Sequence, residues 1–444
     1  MKKNPRAAAI AILCEWQRSR QPIELLCEQG LADFVGDPRD RQLAWSLVLG
    51  VVRQQRYLDW VIGKFSKHPV AKMKPLTLQA LRVGVFQLLL LDRIPASAAI
   101  NETVQALKEA RQPRWLTGFA NGLLRNVDRK RAGLAGEGLA VGIRHSHPDW
   151  LVRRWQARYG AERAEALCRL NNDLPALTLR FDFGTDQIFE YIHSLKERGI
   201  TAEIGRYSPV AVHLPDYRGP VSELPGYDQG WFQVQDEAAQ LVSMLLAPYK
   251  EGDYLDGCAG LGGKTTHIVR LLSEPSRLVA VEPSQHRRTL LQKNLERLRL
   301  ADRVEVVAGE LADLRNRSQR FRGILIDAPC SGLGVVRRHP DIRWNRKEDE
   351  LLRYQARQFE LLDTAAGLLQ PDGVLVYVTC SMEPEEDEQV VDRFLKVHQE
   401  FVLTDAGEHL PAPCAELTND RGLLYTAPDL HGMDGFFAAR LVKQ

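Results

Sequence analysis

Along residues 1–131 apolar side chains recur every three or four positions, the period of an α-helix. Leu78, Leu81, Val85, Leu88 and Leu89 share one helical face, opened by Pro75 and closed by Asp92 and Pro95. Ile100, Val104 and Leu107 repeat the spacing, as do Trp115, Phe119, Leu123 and Leu124. Aromatics at that spacing belong by default to a core, and these are assigned there. Residues 132–144 are Gly-rich and lose the period, so they read as a linker. Residues 145–235 mix two periods: a helix over 150–170, a strand over 176–181, a helix over 185–198 and extended pieces over 210–214. That predicts a small α+β domain. Across 236–444 short apolar strands (253–255, 278–281, 304–307, 323–326 and 374–378) alternate with helical stretches. The alternation predicts an α/β domain built on a parallel sheet covered on both faces.

Composition narrows the class. The chain has 444 residues, 44% hydrophobic and 26% charged, the balance of a soluble globular protein. Its longest apolar run, 83–91, is broken by Gly84 and Gln87, so no membrane span is expected. The basic start lacks a clean apolar stretch behind it, and secretion is not expected either. Seven cysteines without a C-x-x-C pair suggest reduced thiols in a cytoplasmic protein, with neither disulfide framework nor metal. Residues 1–131 carry 22 Lys+Arg against 11 Asp+Glu, a net +11, so the remainder of this +2 chain carries −9. A basic module beside an acidic one suits a polyanionic partner, although a solvated helical surface would look the same.

The run Cys258-Ala259-Gly260-Leu261-Gly262-Gly263-Lys264 lies between the first predicted strand and a helix. Glycines there permit a tight turn and close backbone approach, and the helix N-terminus can hold a carboxylate or phosphate. A phosphate-binding P-loop fails by one residue at either end: from Gly257, Gly263 stands where Lys is needed, and counting back from Gly263 reaches Cys258. Glu282 ends the next strand, where a carboxylate can bind a ribose hydroxyl pair; a solvated strand end is its plainer reading. Glu310, after the third strand, is a candidate for contact with an adenine.

Two further strand ends carry cysteines: Asp327-Ala328-Pro329-Cys330-Ser331 and Thr379-Cys380-Ser381. With the glycine loop, Gly230-Trp231-Phe232-Gln233-Val234-Gln235-Asp236 and Gly432-Met433-Asp434-Gly435-Phe436-Phe437, they resemble the Sun/Fmu family of RNA cytosine-5 methyltransferases. The likeness runs from about residue 145 to the end. The basic N-terminus, with Ile94-Pro95 leading into Ile100-Asn101-Glu102, resembles the NusB-like RNA-binding domain of the bacterial members, the 16S ribosomal RNA methyltransferase B type. The family loop usually reads C-A-A-P-G-G-K, so Gly260-Leu261 replaces Ala-Pro here, and cofactor binding is expected to survive with altered loop stiffness.

The resemblance implies a Rossmann-like class I methyltransferase domain using S-adenosyl-L-methionine, held by residues 258–264 with Glu282, Glu310 and Asp327. Its substrate would be an unpaired or flipped cytosine of 16S rRNA, since the reacting face is hidden within a stacked helix. Carbon 5 of cytosine is a poor nucleophile until a thiolate adds to carbon 6. By resemblance that thiolate is Cys380, Cys330 assists product release, and Asp327 holds the N3/N4 edge. Lys264 would face the same site. A monomer is expected.

A cysteine at a strand end is by default a small buried hydrophobe, and Cys14, Cys27, Cys168 and Cys414 keep that reading, as does the Cys258 side chain. The acidic run 383–388 reads as a solvated helix start. Arg337, Arg338, His339 and Arg343 beside Trp344 suit phosphate contact and base stacking, or simply a solvated loop. Two other functions stay open: the same chemistry on tRNA or another rRNA site, and a non-catalytic ribosome-assembly factor. A nicotinamide oxidoreductase would not need the paired cysteines.

Overall fold

The computed structural model describes residues 4–134, 138–182, 184–246 and 250–444. They form two compact units, one running to Asp173 and including Val336–Arg346, the other Leu174–Val335 with Lys347–Gln444.

The first unit is helical. Prolines open Pro5–Ser19, Pro38–Phe65 and Pro75–Leu90, where a missing N–H costs nothing, and Asn4 and Asp37 cap the first two through their side-chain oxygens. Pro75–Leu90 is buried on every face from Thr77 to Leu88 and forms the centre about which the others pack. Ala96–Glu109 and Arg114–Lys130 complete that bundle. Trp115 is not in the core. It is 72% exposed, because the buried stripe of its helix starts at Leu116 and continues through Ala120, Leu123, Leu124 and Val127. The helix predicted over 150–170 is two, Asp149–Tyr159 and Ala161–Leu170, broken at Gly160 by a φ of 83°. Within the predicted linker, Leu134 is buried and its carbonyl accepts from Tyr57 Oη at 2.6 Å; residues 135–137 lie outside the described residues.

Segment 336–346 corrects the reading of Arg343 and Trp344 as nucleic-acid contacts. The Arg343 guanidinium is fully buried and donates to the carbonyls of Ser146 (3.1 Å) and Asn171 (2.9 Å) and to Asn172 Oδ1 (2.9 Å). Burial pushes its pKa down to about 9. Trp344 Nε1 donates to the Val52 carbonyl at 2.8 Å and the ring packs on the helical core. Both side chains are spent on the fold, leaving Arg337, Arg338 and His339 half-buried beside them.

The second unit holds two sheets. The smaller is antiparallel: β1 (Leu177–Phe181), β2 (Glu203–Ile204), β3 (Ala211–Leu214) and β4 (Phe232–Val234), in the order β2-β3-β1-β4. The larger contains β5 (Asp253–Asp256), β6 (Arg277–Glu282), β7 (Val304–Ala308), β8 (Phe321–Asp327), β9 (Leu369–Thr379), β10 (Phe401–Thr404), β11 (Leu424–Tyr425) and β12 (Phe437–Lys443). Its order is β10-β12-β9-β8-β5-β6-β7, with β11 on β12. β5 to β9 are parallel and correspond to the five predicted strands. β12 adds antiparallel to β9, and β10 adds antiparallel to β12, an extension the alternation pattern missed. Leu278, Ala280, Val376 and Val378 face one core, while Val279, Val281, Leu375 and Tyr377 face the other, as a sheet covered on both sides requires. From β5 the chain steps outward through β6 and β7, then returns to β8 on the other side of β5. The strand order reverses there, and open sheets bind ligands at the carboxyl ends of such strands.

Candidate active site

The loop after β5 begins against Asp256, which is 1% exposed. Its carboxylate accepts from the Cys258 amide (3.3 Å) and from Thr265 Oγ1 (2.7 Å), tying both ends of the turn together. Burial raises its pKa to about 6. Gly262 sits at φ 87° just before the helix Gly263–Leu271, and a Cβ there would lie 2.3 Å from Leu291 Cδ1. Glycine is therefore required at that position for both backbone and space. Glu282, 2% exposed at the end of β6, accepts from the amides of Gly260 (3.1 Å) and Ser284 (2.8 Å), so the solvated reading fails. Glu310 is exposed and paired with Arg357 at 2.7 Å. Arg180, fully buried on β1, donates to the Gly263 carbonyl (2.8 Å) and Thr266 Oγ1 (3.0 Å), fastening the small sheet to the start of the loop's helix.

Lys264 Nζ reaches Asp327 Oδ2 at the end of β8, 2.6 Å away, and lies 5.2 Å from the Phe436 ring centre. Burial works to lower the Lys264 pKa, but Asp327, with smaller contributions from Cys380 and Asp256, carries the net shift upward. The ammonium thus stays charged between the glycine loop and the cysteines.

Cys330 and Cys380 follow adjacent parallel strands, and their Sγ atoms are 3.3 Å apart. The hydrogen bond to Cys380, then burial, pushes the Cys330 thiol well above its ordinary range. The two loops touch through backbone: the Gly334 amide donates to the Cys380 carbonyl at 3.0 Å, and the Gly435 amide to the Gly334 carbonyl at 2.8 Å. A Cβ on Gly334 would fall 2.0 Å from the Gly435 carbonyl oxygen, so the third motif, 432–437, closes this corner.

The acidic run is not solvated. Glu383, Glu386 and Asp387 are all fully buried. Glu386 accepts from the Ser331 amide (2.7 Å) and hydroxyl (2.5 Å), the Ser381 hydroxyl (2.6 Å) and Gln358 Nε2 (3.2 Å). Asp387 accepts from Thr379 Oγ1 at 2.6 Å. The residues flanking both cysteines are thus bonded to two carboxylates that the sequence reading placed in water. The signal that could have found them is the repeated Cys-Ser, which puts a hydroxyl beside each thiol. Of the other cysteines, Cys27, Cys168 and Cys414 are buried and Cys14 half-buried. Among the described residues no His/Cys/Asp/Glu group could hold a metal, and no helix is long and apolar enough to cross a membrane.

A glycine turn after the first strand, a buried acid ending the second and polar loops after the fourth and fifth define a Rossmann-like methyltransferase domain. Family models cover the chain in three parts: the NusB family over 3–129, the ferredoxin-like domain of RsmF/B-type methyltransferases over 147–221, and the 16S rRNA methyltransferase RsmB/F over 243–442. The chain is 37% identical to ribosomal RNA small subunit methyltransferase B of Photorhabdus laumondii, over 91% of each chain. It is 32% identical to the probable ribosomal RNA small subunit methyltransferase B of Synechocystis, over 99% of each. The fold is shared with NSun6 from Pyrococcus horikoshii, solved with SFG: TM-score 0.58, 19% identity, 67% of this chain and 98% of that one. The chain belongs to the RsmB/F family of 16S rRNA methyltransferases.

Proposed function

We propose that the chain transfers a methyl group from S-adenosyl-L-methionine to carbon 5 of a specific unpaired or flipped-out cytosine in 16S rRNA, through a covalent Cys380–carbon 6 adduct. The observation that carries this reading is the thiol pair at 3.3 Å, with Cys330 on the same strand end as the Lys264–Asp327 ion pair. Cofactor fit rests on Glu282: a carboxylate has about four lone-pair sites, and the Gly260 and Ser284 amides with Arg287 Nη1 (3.5 Å) still leave acceptor capacity for a ribose hydroxyl. The N-terminus of Gly263–Leu271 suits the cofactor's carboxylate. When bound, the cofactor supplies an electrophilic methyl group.

The chain's own residues supply the rest. Cys380, as thiolate, adds to carbon 6, and the displaced electron pair makes carbon 5 enamine-like and able to take the methyl group. Asp327 faces the N3/N4 edge, where its carboxylate accepts from the N4 amino group, and the Lys264 ammonium that holds it offsets the negative charge that addition builds up on the ring. A base then removes the carbon-5 proton, and that electron pair restores the ring double bond as the Cys380 thiolate leaves. Cys330, with its Sγ 3.3 Å from that of Cys380, serves the release step.

The test is a denaturing gel of Cys330→Ala and Cys380→Ala proteins incubated with S-adenosyl-L-methionine and unmodified 16S rRNA. A slow covalent band from Cys330→Ala and none from Cys380→Ala is expected. The reverse pattern would exchange the two roles. A wild-type protein that leaves no 5-methylcytosine in that RNA would overturn the reading.

A further inference from the structure

We propose that the solvent face of the helix Arg114–Lys130 docks the phosphate backbone and one unpaired base of the substrate RNA; the assignment rests on the RNA reading above. The face opposite the buried stripe carries Arg114, Trp115, Gly118, Gly122, Arg125 and Arg129, all exposed. Their spacing of three and four puts them in one line along the helix.

Three features of this line are not explained by packing against the core. Trp115 is 72% exposed, more than any other large apolar side chain among the described residues. Gly118 and Gly122 sit inside the helix without positive φ, and a Cβ on either would meet nothing within 4 Å. Glycine there weakens the helix and relieves no clash. What it provides is a smooth track on which another chain can approach the backbone. Arg125 and Arg129 bond the neutral side chains Asn121 and Asn126, so their charges are not cancelled. Residues 1–131, which include this line, carry a net +11. Guanidinium groups beside a flat groove with an indole at one end match phosphates with a stacked base.

The experiment is fluorescence anisotropy of the full chain with a 16S rRNA transcript at several salt concentrations, with methyl transfer measured on the same samples. Replacing Arg114, Arg125 and Arg129 together by Gln should weaken binding roughly tenfold or more. It should also make the log–log salt slope shallower by about 2, at ~0.7 per phosphate contact. Trp115→Ala should cost roughly tenfold with little change in slope. Gly118→Ala with Gly122→Ala should raise the Tm by a few degrees yet weaken binding; a purely structural helix would give the first without the second.

Unchanged affinity in the arginine and tryptophan variants would overturn the proposal. Normal binding to naked RNA with lost methylation of a subunit particle would also overturn it, assigning the face to a ribosomal protein. Lost binding in the variants of a wild type that binds but never methylates would leave this surface standing and remove the proposed function instead.

Discussion

Along one edge of the large sheet, the loops after β5 and β6 can be compared with those after β8 and β9. The first pair is fixed by acids that belong to the strands themselves. Asp256 and Glu282 each end a strand and bond amides of the neighbouring turn. The second pair is fixed from outside. Glu386 and Asp387 come from a later turn and reach back to Ser331, Ser381 and Thr379, the residues flanking the cysteines. The glycine loop needs only a shape the local chain can make. Two thiols on different strands need a common fixture, because no local bond sets the distance between them.

That difference ranks the consequences of mutation. The largest is expected at Glu386, which touches neither cysteine directly and acts by positioning. Glu386→Gln keeps the volume but turns an NH2 group towards donors, so at least one bond to Ser331 or Ser381 is lost. A displacement of the thiols by about 1 Å is worth roughly 100-fold in kcat, while KM for RNA and cofactor should move by less than about threefold, since neither is bound here. Steady-state kinetics with the Tm measured alongside decides it. An unchanged kcat would reduce Glu386 to a structural acid, as would a KM effect that tracks lost stability.

The same contrast explains what could be read in advance. Helical and strand periods located the five parallel strands, and Glu282 stood out as an acid ending the second of them, though its burial did not. Cys330, Cys380 and Asp327 came from resemblance, and their meeting at one edge follows from β8 and β9 being neighbours. The fixture was illegible: Glu-Pro-Glu-Glu-Asp-Glu has the composition of a surface, and only tertiary hydrogen bonds justify burying it. Arg343 misled for the same reason, since a buried guanidinium and a phosphate-binding one look alike in sequence. Trp115 misled in the other direction, an aromatic at core spacing that stands one position before the buried stripe of its helix.

A smaller effect is expected at Asp256. Its folded pKa of about 6 lies above the ordinary carboxyl value of 3.8. The folded chain therefore holds the proton more tightly between those values. This group's contribution is full below about pH 4 and is lost as pH rises through about 6. Asp256→Asn removes the titration, so between pH 4 and 6.5 the difference in unfolding free energy should shift towards the variant by ~2 kcal/mol. Urea denaturation across that range measures it. A constant offset at every pH would mean the carboxyl does not titrate in this window.

The smallest effect separates Gly260 from Gly262 in the glycine loop. Gly262 could not accept a side chain without striking Leu291, whereas Gly260, at φ 56°, has nothing within 4 Å of the site of a Cβ. Gly260→Ala therefore meets only the left-handed backbone penalty, about 1 kcal/mol, while its amide keeps the bond to Glu282. Titration calorimetry should find the affinity for S-adenosyl-L-methionine within about threefold of wild type, a span of ~0.7 kcal/mol. The reason is that the Asp256 and Glu282 carboxylates hold the loop whichever residue stands at 260. A tenfold loss would show that the loop must flex to admit its ligand, and that acids at the strand ends do not suffice to shape this half of the edge.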